Sequence, residues 1–348
     1  MTDASRHASH DPGIDEARRR AEALAEVEAR PITVGKAEVR IGTAGWTDPT
    51  LTKHGVFYPA GADSAEDRLR YYASRFSMVE VDSTYYALPV APMAERWVER
   101  TPDGFVFDVK AHALMTGHPT DPRRLPAALR DELGGSAEAR RVYPKDLPDV
   151  LMDRVWEWFR DALRPLHEAG RMGSVLLQYP PWFLPSKDNV ARILEARDRL
   201  APLDIALELR NARWFSEKVG PRTIAWCTEH GVPLVMVDEP QGTPHSVPRR
   251  VVVTSPALAI LRLHGRKADT WARRGASVAE KYRYLYDREE LASLVPDVVD
   301  AGREARRLHI IFNNCYGNYG TTNAVEMAAL LARSPELSEA FRPPPHGL

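Results

Sequence analysis

From Val39 onward the chain alternates between short apolar or alternating runs and longer stretches with helical spacing. The runs are VRIGTAGW (39–46), MVEVDSTYY (78–86), FVFDVKAH (105–112), SVLLQYP (174–180), DIALELR (204–210), PLVMVD (233–238), AILRLHG (259–265) and LHIIFNN (308–314). Stretches such as SAEDRLRYYASRF, APMAERWVERT and SKDNVARILEARDRL between them read as helices. Eight strands alternating with helices predict a parallel sheet with crossover helices, and at 348 residues the leading arrangement is an α/β, TIM-type (β/α)8 barrel. A doubly wound open sheet is the runner-up. Against it, no G-x-G-x-x-G opens a helix after the first strand, and the glycines of GTAGW stand too close together.

Outside this alternation the texture differs. The first thirteen residues are polar and read as disordered, and residues 14–30, rich in Ala, Glu and Arg, read as a surface helix that Pro31 ends. The expected organisation is an N-terminal extension over 1–36, a barrel over 37–335 and a tail over 336–348. Deleting the extension is expected to leave a folded barrel. About sixty residues separate the third strand from the fourth, which predicts an insertion at 113–150 over the barrel mouth before the crossover helix LMDRVWEWFRDALRPLHEAG.

Composition narrows the function classes. A formal net charge of −1 argues against a generalised electrostatic nucleic-acid binder. The two cysteines, Cys227 and Cys315, indicate neither a disulfide framework nor a thiolate metal site, and a reducing cytosol is the expected compartment. No run of 18 apolar residues suggests a membrane span.

Side chains alternate along a strand, so residues two apart share a face. Glu80 with Asp82, Asp108 with Lys110, Gln178, Glu208 with Arg210, Asp238, Arg262 with His264, and Asn313 with Asn314 all fall toward strand C-termini, where barrel active sites are built. Arg262 and His264 are unexpected in a buried strand, and a cup holding Glu80, Asp82, Glu208 and Asp238 would offset their charge. Trp46, Tyr85, Tyr86, Tyr179, Trp182, Trp214, Trp271 and Tyr316 lie just beyond strand ends as candidate walls.

The ordered series IGTAGW, FSMVEVDSTYYALP, FVFDVKAHALMTGH, LLQYPPWF, ALELRNARWF, ILRLHGR, KYRYLYDREEL and IIFNNCYGNYGTTNA resembles the DUF72 family, also called YecE-like or UPF0759, over residues 38–331. The resemblance implies a TIM-type barrel and assigns no activity. Two departures stand out: Asp82 occupies a position where Asn is common, and the connection between the third and fourth strands is longer than usual. A second carboxylate near Glu80 raises one carboxyl pKa or invites a cation.

These residues support two functions. The first is a hydrolase, lyase or isomerase acting on a small polar, anionic or sugar-like substrate. In it Glu80 or Glu208 is the general base, and Lys110 and His264 supply acid or electrostatic assistance. Asp82, Gln178, Arg210, Trp214, Asp238, Arg262, Arg266, Trp271, Asn313 and Asn314 then bind the substrate. The second is a nucleic-acid-binding or processing protein using the basic, aromatic segment 262–286, in which Arg262, Arg266, Lys267, Arg273, Arg274, Lys281 and Arg283 face only Asp269 and Glu280. A ligand-binding barrel without turnover is a third reading.

Each signal has a plainer explanation beside it. The carboxylates suit a divalent metal shell of Mg or Mn, with no short metal spacing to support one, or an ion-pair network with Lys110, Arg210 and Arg262. His264 is a proton shuttle or a packed histidine bonded to a carboxylate. His112 and His118 read as surface loop residues. NNCYGNYGTTNA suits an anion at a helix start or an ordinary N-cap by Thr321 and Thr322. No motif fixes a cofactor or an oligomeric state.

Overall fold

A computed structural model describes residues 11–24, 30–134, 138–243, 246–271, 273, 275 and 277–333. A short strand, β1 (Ile32–Val34), comes first. The eight apolar runs then form β2 (Ala37–Thr43), β3 (Met78–Val81), β4 (Val106–Lys110), β5 (Met172–Tyr179), β6 (Ile205–Leu209), β7 (Met236–Asp238), β8 (Ala259–Leu263) and β9 (Arg307–Phe312). These eight are parallel and follow one another around a TIM-type barrel in chain order.

The ladder is not continuous round that barrel. One sheet runs β1-β2-β9-β8-β7 and the other β3-β4-β5-β6, and single parallel bridges, Ala44 to Glu80 and Leu207 to Leu234, join them at the two seams. Glycine makes the first seam feasible. A Cβ on Gly42 would lie 2.3 Å from the Met78 carbonyl oxygen, so only glycine lets β2 approach β3 this closely. Just beyond, Gly45 takes φ +96° and donates its N–H to the Glu80 carbonyl at 2.8 Å, which fixes the end of β3 against the end of β2.

Helices Ala65–Arg75, Ala91–Glu99, Asp149–Ala162, Lys187–Leu200, Gly220–Glu229, Val295–Glu304 and Tyr319–Arg333 surround the strands. Their apolar faces cover outward-facing strand residues such as Leu308, Ile310 and Phe312, all fully buried. The long connection after β4 carries short 3-10 turns at Ala113–Thr116 and Pro122–Arg124 and one turn of helix at Ala127–Arg130. A two-bond bridge between Thr120 and Val142 ties its two limbs together (3.0 and 2.9 Å).

The N-terminal residues are more tightly docked than their composition suggests. Helix Pro12–Glu22 is capped by Asp11 and packs on Tyr319–Arg333 with Ala17 fully buried. Arg20 forks onto Glu326 (2.7 and 2.6 Å) and also reaches the Tyr286 carbonyl. Asp11 accepts from Arg283 at 2.8 Å and from Tyr316 at 2.9 Å. β1 pairs antiparallel with β2, so the strand ladder itself begins inside the first 36 residues. The expected disorder of residues 1–10, the expected helix over 25–29 and the tail from 336 fall outside the described residues.

Candidate active site

Arg262 lies inside the barrel near its mouth and is 1% exposed. Its Nε and Nη2 fork onto Glu80 (2.8 and 2.6 Å), and its Nη1 donates to Glu208 Oε2. Both carboxylates are fully buried. Register explains the convergence: Arg262 stands opposite Ile311 on β9 and Val237 on β7, and all three point inward. A guanidinium with two carboxylates on three edges is the geometry in which buried charge is tolerated.

Glu208 collects the rest of the layer. Gln178 Nε2 donates to its Oε1 at 2.7 Å and Arg210 Nη1 at 3.1 Å. Arg210 also lies 2.9 Å from Glu239 Oε2 and over the Trp271 ring at 5.1 Å. Burial pushes the Glu208 carboxyl up, but the Arg262 and Arg210 charges outweigh it and hold Glu208 well below the usual carboxylate range. Glu80 goes the other way, with burial and the Glu208 charge prevailing over the pull of Arg262 and Lys110.

His264 is fully buried, and burial lowers its pKa to about 4 despite the nearby Glu208 charge, so the ring is neutral near pH 7. Asn313 Nδ2 lies 2.9 Å from its Nδ1. With the amide donating there, the ring proton sits on Nε2, 3.3 Å from Glu208 Oε1 but off the line of a good hydrogen bond.

Lys110 and Asp82 differ from their neighbours. Neither makes an ion pair or a hydrogen bond through its side chain among the described residues. Lys110 Nζ sits over the Tyr85 ring at 4.7 Å, and burial together with the Arg262 charge lowers its pKa. Burial and the Glu80 charge raise the Asp82 carboxyl to about 6, against the pull of Lys110. One level deeper, Asp108 accepts from Ser174 Oγ at 2.9 Å and lies 2.8 Å from His309 Nδ1, a buried polar layer below the mouth.

The structure therefore brings Glu80, Asp82, Lys110, Gln178, Glu208, Arg210, Arg262, His264, Trp271 and Asn313 to one mouth. Asp238 and Arg266 form a separate cluster on the other face of β7 and β8. There Arg266 forks onto Asp238 (2.9 Å at each oxygen) and Tyr286 Oη donates to Asp238 at 2.7 Å. Glu239 takes the position in the mouth that Asp238 was expected to fill. Asn314 points away from its neighbour and pins Tyr284 and Asn323 (2.8 and 2.9 Å). Trp214 is buried, donating to the Phe183 carbonyl at 2.7 Å and stacking on Phe183.

Other expectations change in the same way. His112 is fully buried rather than on the surface, and His118 is partly buried between Tyr85 and Trp182. Of the candidate walls, Tyr85 and Trp271 border the mouth, Tyr86 and Trp182 lie exposed on its rim, and Trp46, Tyr179 and Trp214 belong to the core. The basic segment is mostly satisfied from within: Arg262 as above, Arg266 by Asp238, Arg273 by Glu280 and Arg283 by Asp11. Arg274 lies outside the described residues. At the last helix, Thr321 and Thr322 are buried and bond to Asn318 and Ala17 carbonyls, with the N-terminal helix packed over them. Tyr282, within the basic, aromatic segment 262–286, borders the mouth, its ring 6.1 Å from His264 and 6.0 Å from Trp271.

Among the described residues, no group of three or more His, Cys, Asp or Glu is placed to hold a metal ion, and no helix is long and apolar enough to cross a membrane. The family model described as "Protein of unknown function DUF72" matches residues 40–346. The UPF0759 protein YunF of Bacillus subtilis is 30% identical over 296 residues, 84% of this chain and 94% of that protein. The crystal structure of a DUF72 family protein from Thermotoga maritima is 29% identical with a TM-score of 0.66, covering 85% of this chain and 99% of that one. One from Enterococcus faecalis is 26% identical with a TM-score of 0.67, covering 85% and 96%.

Proposed function

The chain belongs to the DUF72 family, and on that premise we propose that it is an enzyme moving a proton on a small polar substrate at the C-terminal mouth of its barrel. One observation carries the reading: a lysine and an aspartate face the mouth, neither with an ion-pair partner among the described residues, and their pKa values converge, Lys110 downward and Asp82 up to about 6. Ordinary structural ion pairs push such values apart instead.

Roles follow from what each group already holds. Glu80 and Glu208 are committed to Arg262, so they set the field of the mouth rather than exchange protons. The transferred proton is assigned to Lys110, whose amine burial and the Arg262 charge make easier to deprotonate, and Asp82 tunes it through its charge. Neutral His264 offers an N–H, and Gln178, Arg210 and Asn313 orient polar groups of the substrate. The cytosol suits this reading, since Cys227 and Cys315 are both free thiols.

The test is to incubate the protein with small hydroxy-carbonyl compounds in D2O and follow deuterium entering carbon positions by NMR. Wild type should catalyse exchange and Lys110→Met should abolish it. Asp82→Asn should keep turnover but lose the limb of the pH profile near 6. Exchange unaffected by Lys110→Met would refute the assignment.

A further inference from the structure

The insertion after β4 builds a groove beside the mouth. Among its lining residues are Arg123, Arg124, Arg140, Arg141, Tyr86 and Trp182. The Thr120–Val142 bridge holds the two arginine-bearing limbs side by side, so residues far apart in sequence share one surface. Asp121 is the carboxylate in the lining, and Arg123 already forks onto it (2.9 and 2.6 Å). Arg124, Arg140 and Arg141 have no carboxylate partner among the described residues, and all three are exposed. The contrast is with the basic segment after β8, where Arg266, Arg273 and Arg283 each meet an acid.

Aromatic faces accompany this charge. Trp182 is 61% exposed and Tyr86 45%, both unusual for rings of their size. Arg124 lies over the Tyr86 ring at 5.9 Å. The groove is also continuous with the mouth: Lys110 covers Tyr85, Tyr85 meets His118 at 5.3 Å, and His118 meets Trp182 at 5.5 Å.

We propose that this groove binds the phosphate of a phosphorylated sugar, with Arg124, Arg140 and Arg141 on the phosphate oxygens and Trp182 or Tyr86 against the sugar face. Arginine forks match phosphate geometry, and aromatic rings offer flat apolar surface to the C–H face of a sugar. The proposal rests on the reading of the mouth as the reacting site, because the touching Tyr85 and Tyr86 rings (5.0 Å) link Lys110 to Arg124. A small ligand is favoured over a nucleic acid because Arg124, Arg140 and Arg141 converge on one groove and the chain's net charge is −1.

The test is calorimetric titration with ribose 5-phosphate and glucose 6-phosphate, with the free sugars and a short single-stranded oligonucleotide as comparators. The proteins are wild type, the double variant Arg140→Ala with Arg141→Ala, and Lys110→Met. At least one phosphorylated sugar should bind wild type and Lys110→Met at least tenfold more tightly than its free sugar. The double variant, altered only at exposed positions, should lose at least tenfold of that affinity. Equal binding of phosphorylated and free sugars, or no loss in the double variant, would overturn the proposal. Tighter arginine-dependent binding of the oligonucleotide would overturn the ligand class. If arginine-dependent binding holds while deuterium exchange is absent, the groove stands and the acid–base reading falls by itself.

Discussion

Replacing Asp82 by Asn should stabilise the protein at alkaline pH and do progressively less as the pH falls. The ordinary aspartate value is 3.8 and the folded value is about 6, so the folded state disfavours the charged carboxylate by about two pK units. At ~1.4 kcal/mol per unit this is a penalty of about 3 kcal/mol, which partial solvent access at the mouth reduces to about 2 kcal/mol. The attraction of Lys110 is already inside that balance. The direction follows from proton counts. Between about pH 4 and pH 6 the unfolded chain releases the proton while the folded state keeps it, so stability falls as pH rises, and above that window the penalty is constant. Asn keeps the shape and removes the charge. Urea unfolding should therefore show Asp82→Asn more stable than wild type by about 2 kcal/mol at pH 8 and by less than about 1 kcal/mol at pH 4.5. A variant less stable than wild type at pH 8, or equally stabilised at both pH values, would refute the argument.

Arg262→Ala leaves Glu80 and Glu208 buried without their shared partner and should cost about 3–5 kcal/mol, measured by urea denaturation at pH 7.5. The His264 ring should stay neutral down to about pH 4, seen by 15N NMR as one unprotonated ring nitrogen through pH 5. Because its folded value lies below 6.5, its contribution to stability is present above that pH and is lost as the pH falls toward 4. Arg20→Ala removes the fork onto Glu326 and the bond to the Tyr286 carbonyl, and should lower stability by about 1–2 kcal/mol in the same denaturation assay.

The eight barrel strands were legible because each is a compact apolar run bounded by polar or turn residues, and the sheet buries both faces. β1 was not, since three residues between Pro31 and Gly35 carry too little pattern to separate a strand from a linker. Side-chain direction was legible wherever a pair two residues apart marked a face, as for Arg262 with His264 or Glu208 with Arg210. It failed at β7, where Asp238 and Glu239 are adjacent and opposite in direction. Only the register of Val237 against Arg262 decides which of the two enters the mouth. Asn313 and Asn314 present the same ambiguity. The basic run after β8 stood out because its arginines are neighbours in sequence while their partners Asp11 and Asp238 are distant. The groove arginines had the opposite fate: residues 123–124 and 140–141 do not form a run, and a non-local bridge makes them one surface.

The occupied charges of the mouth explain why two groups are left free. Arg262 and Arg210 together engage Glu80, Glu208 and Glu239, a fixed layer whose members cannot easily gain or lose protons without leaving a buried neighbour uncompensated. Lys110 and Asp82 sit at the edge of that layer and feel its field without being bonded to it: burial and then the Arg262 charge push the lysine down, and burial and then the Glu80 charge push the aspartate up. A rigid, desolvated set of charges thereby leaves beside it an aspartate that titrates at about 6 and a lysine held below its ordinary range. Arg262 is thus a positioning residue, and its loss should move the Lys110 pKa upward as well as weaken the fold. The buried arginine of β8, improbable as a core residue, is what leaves the lysine free to act.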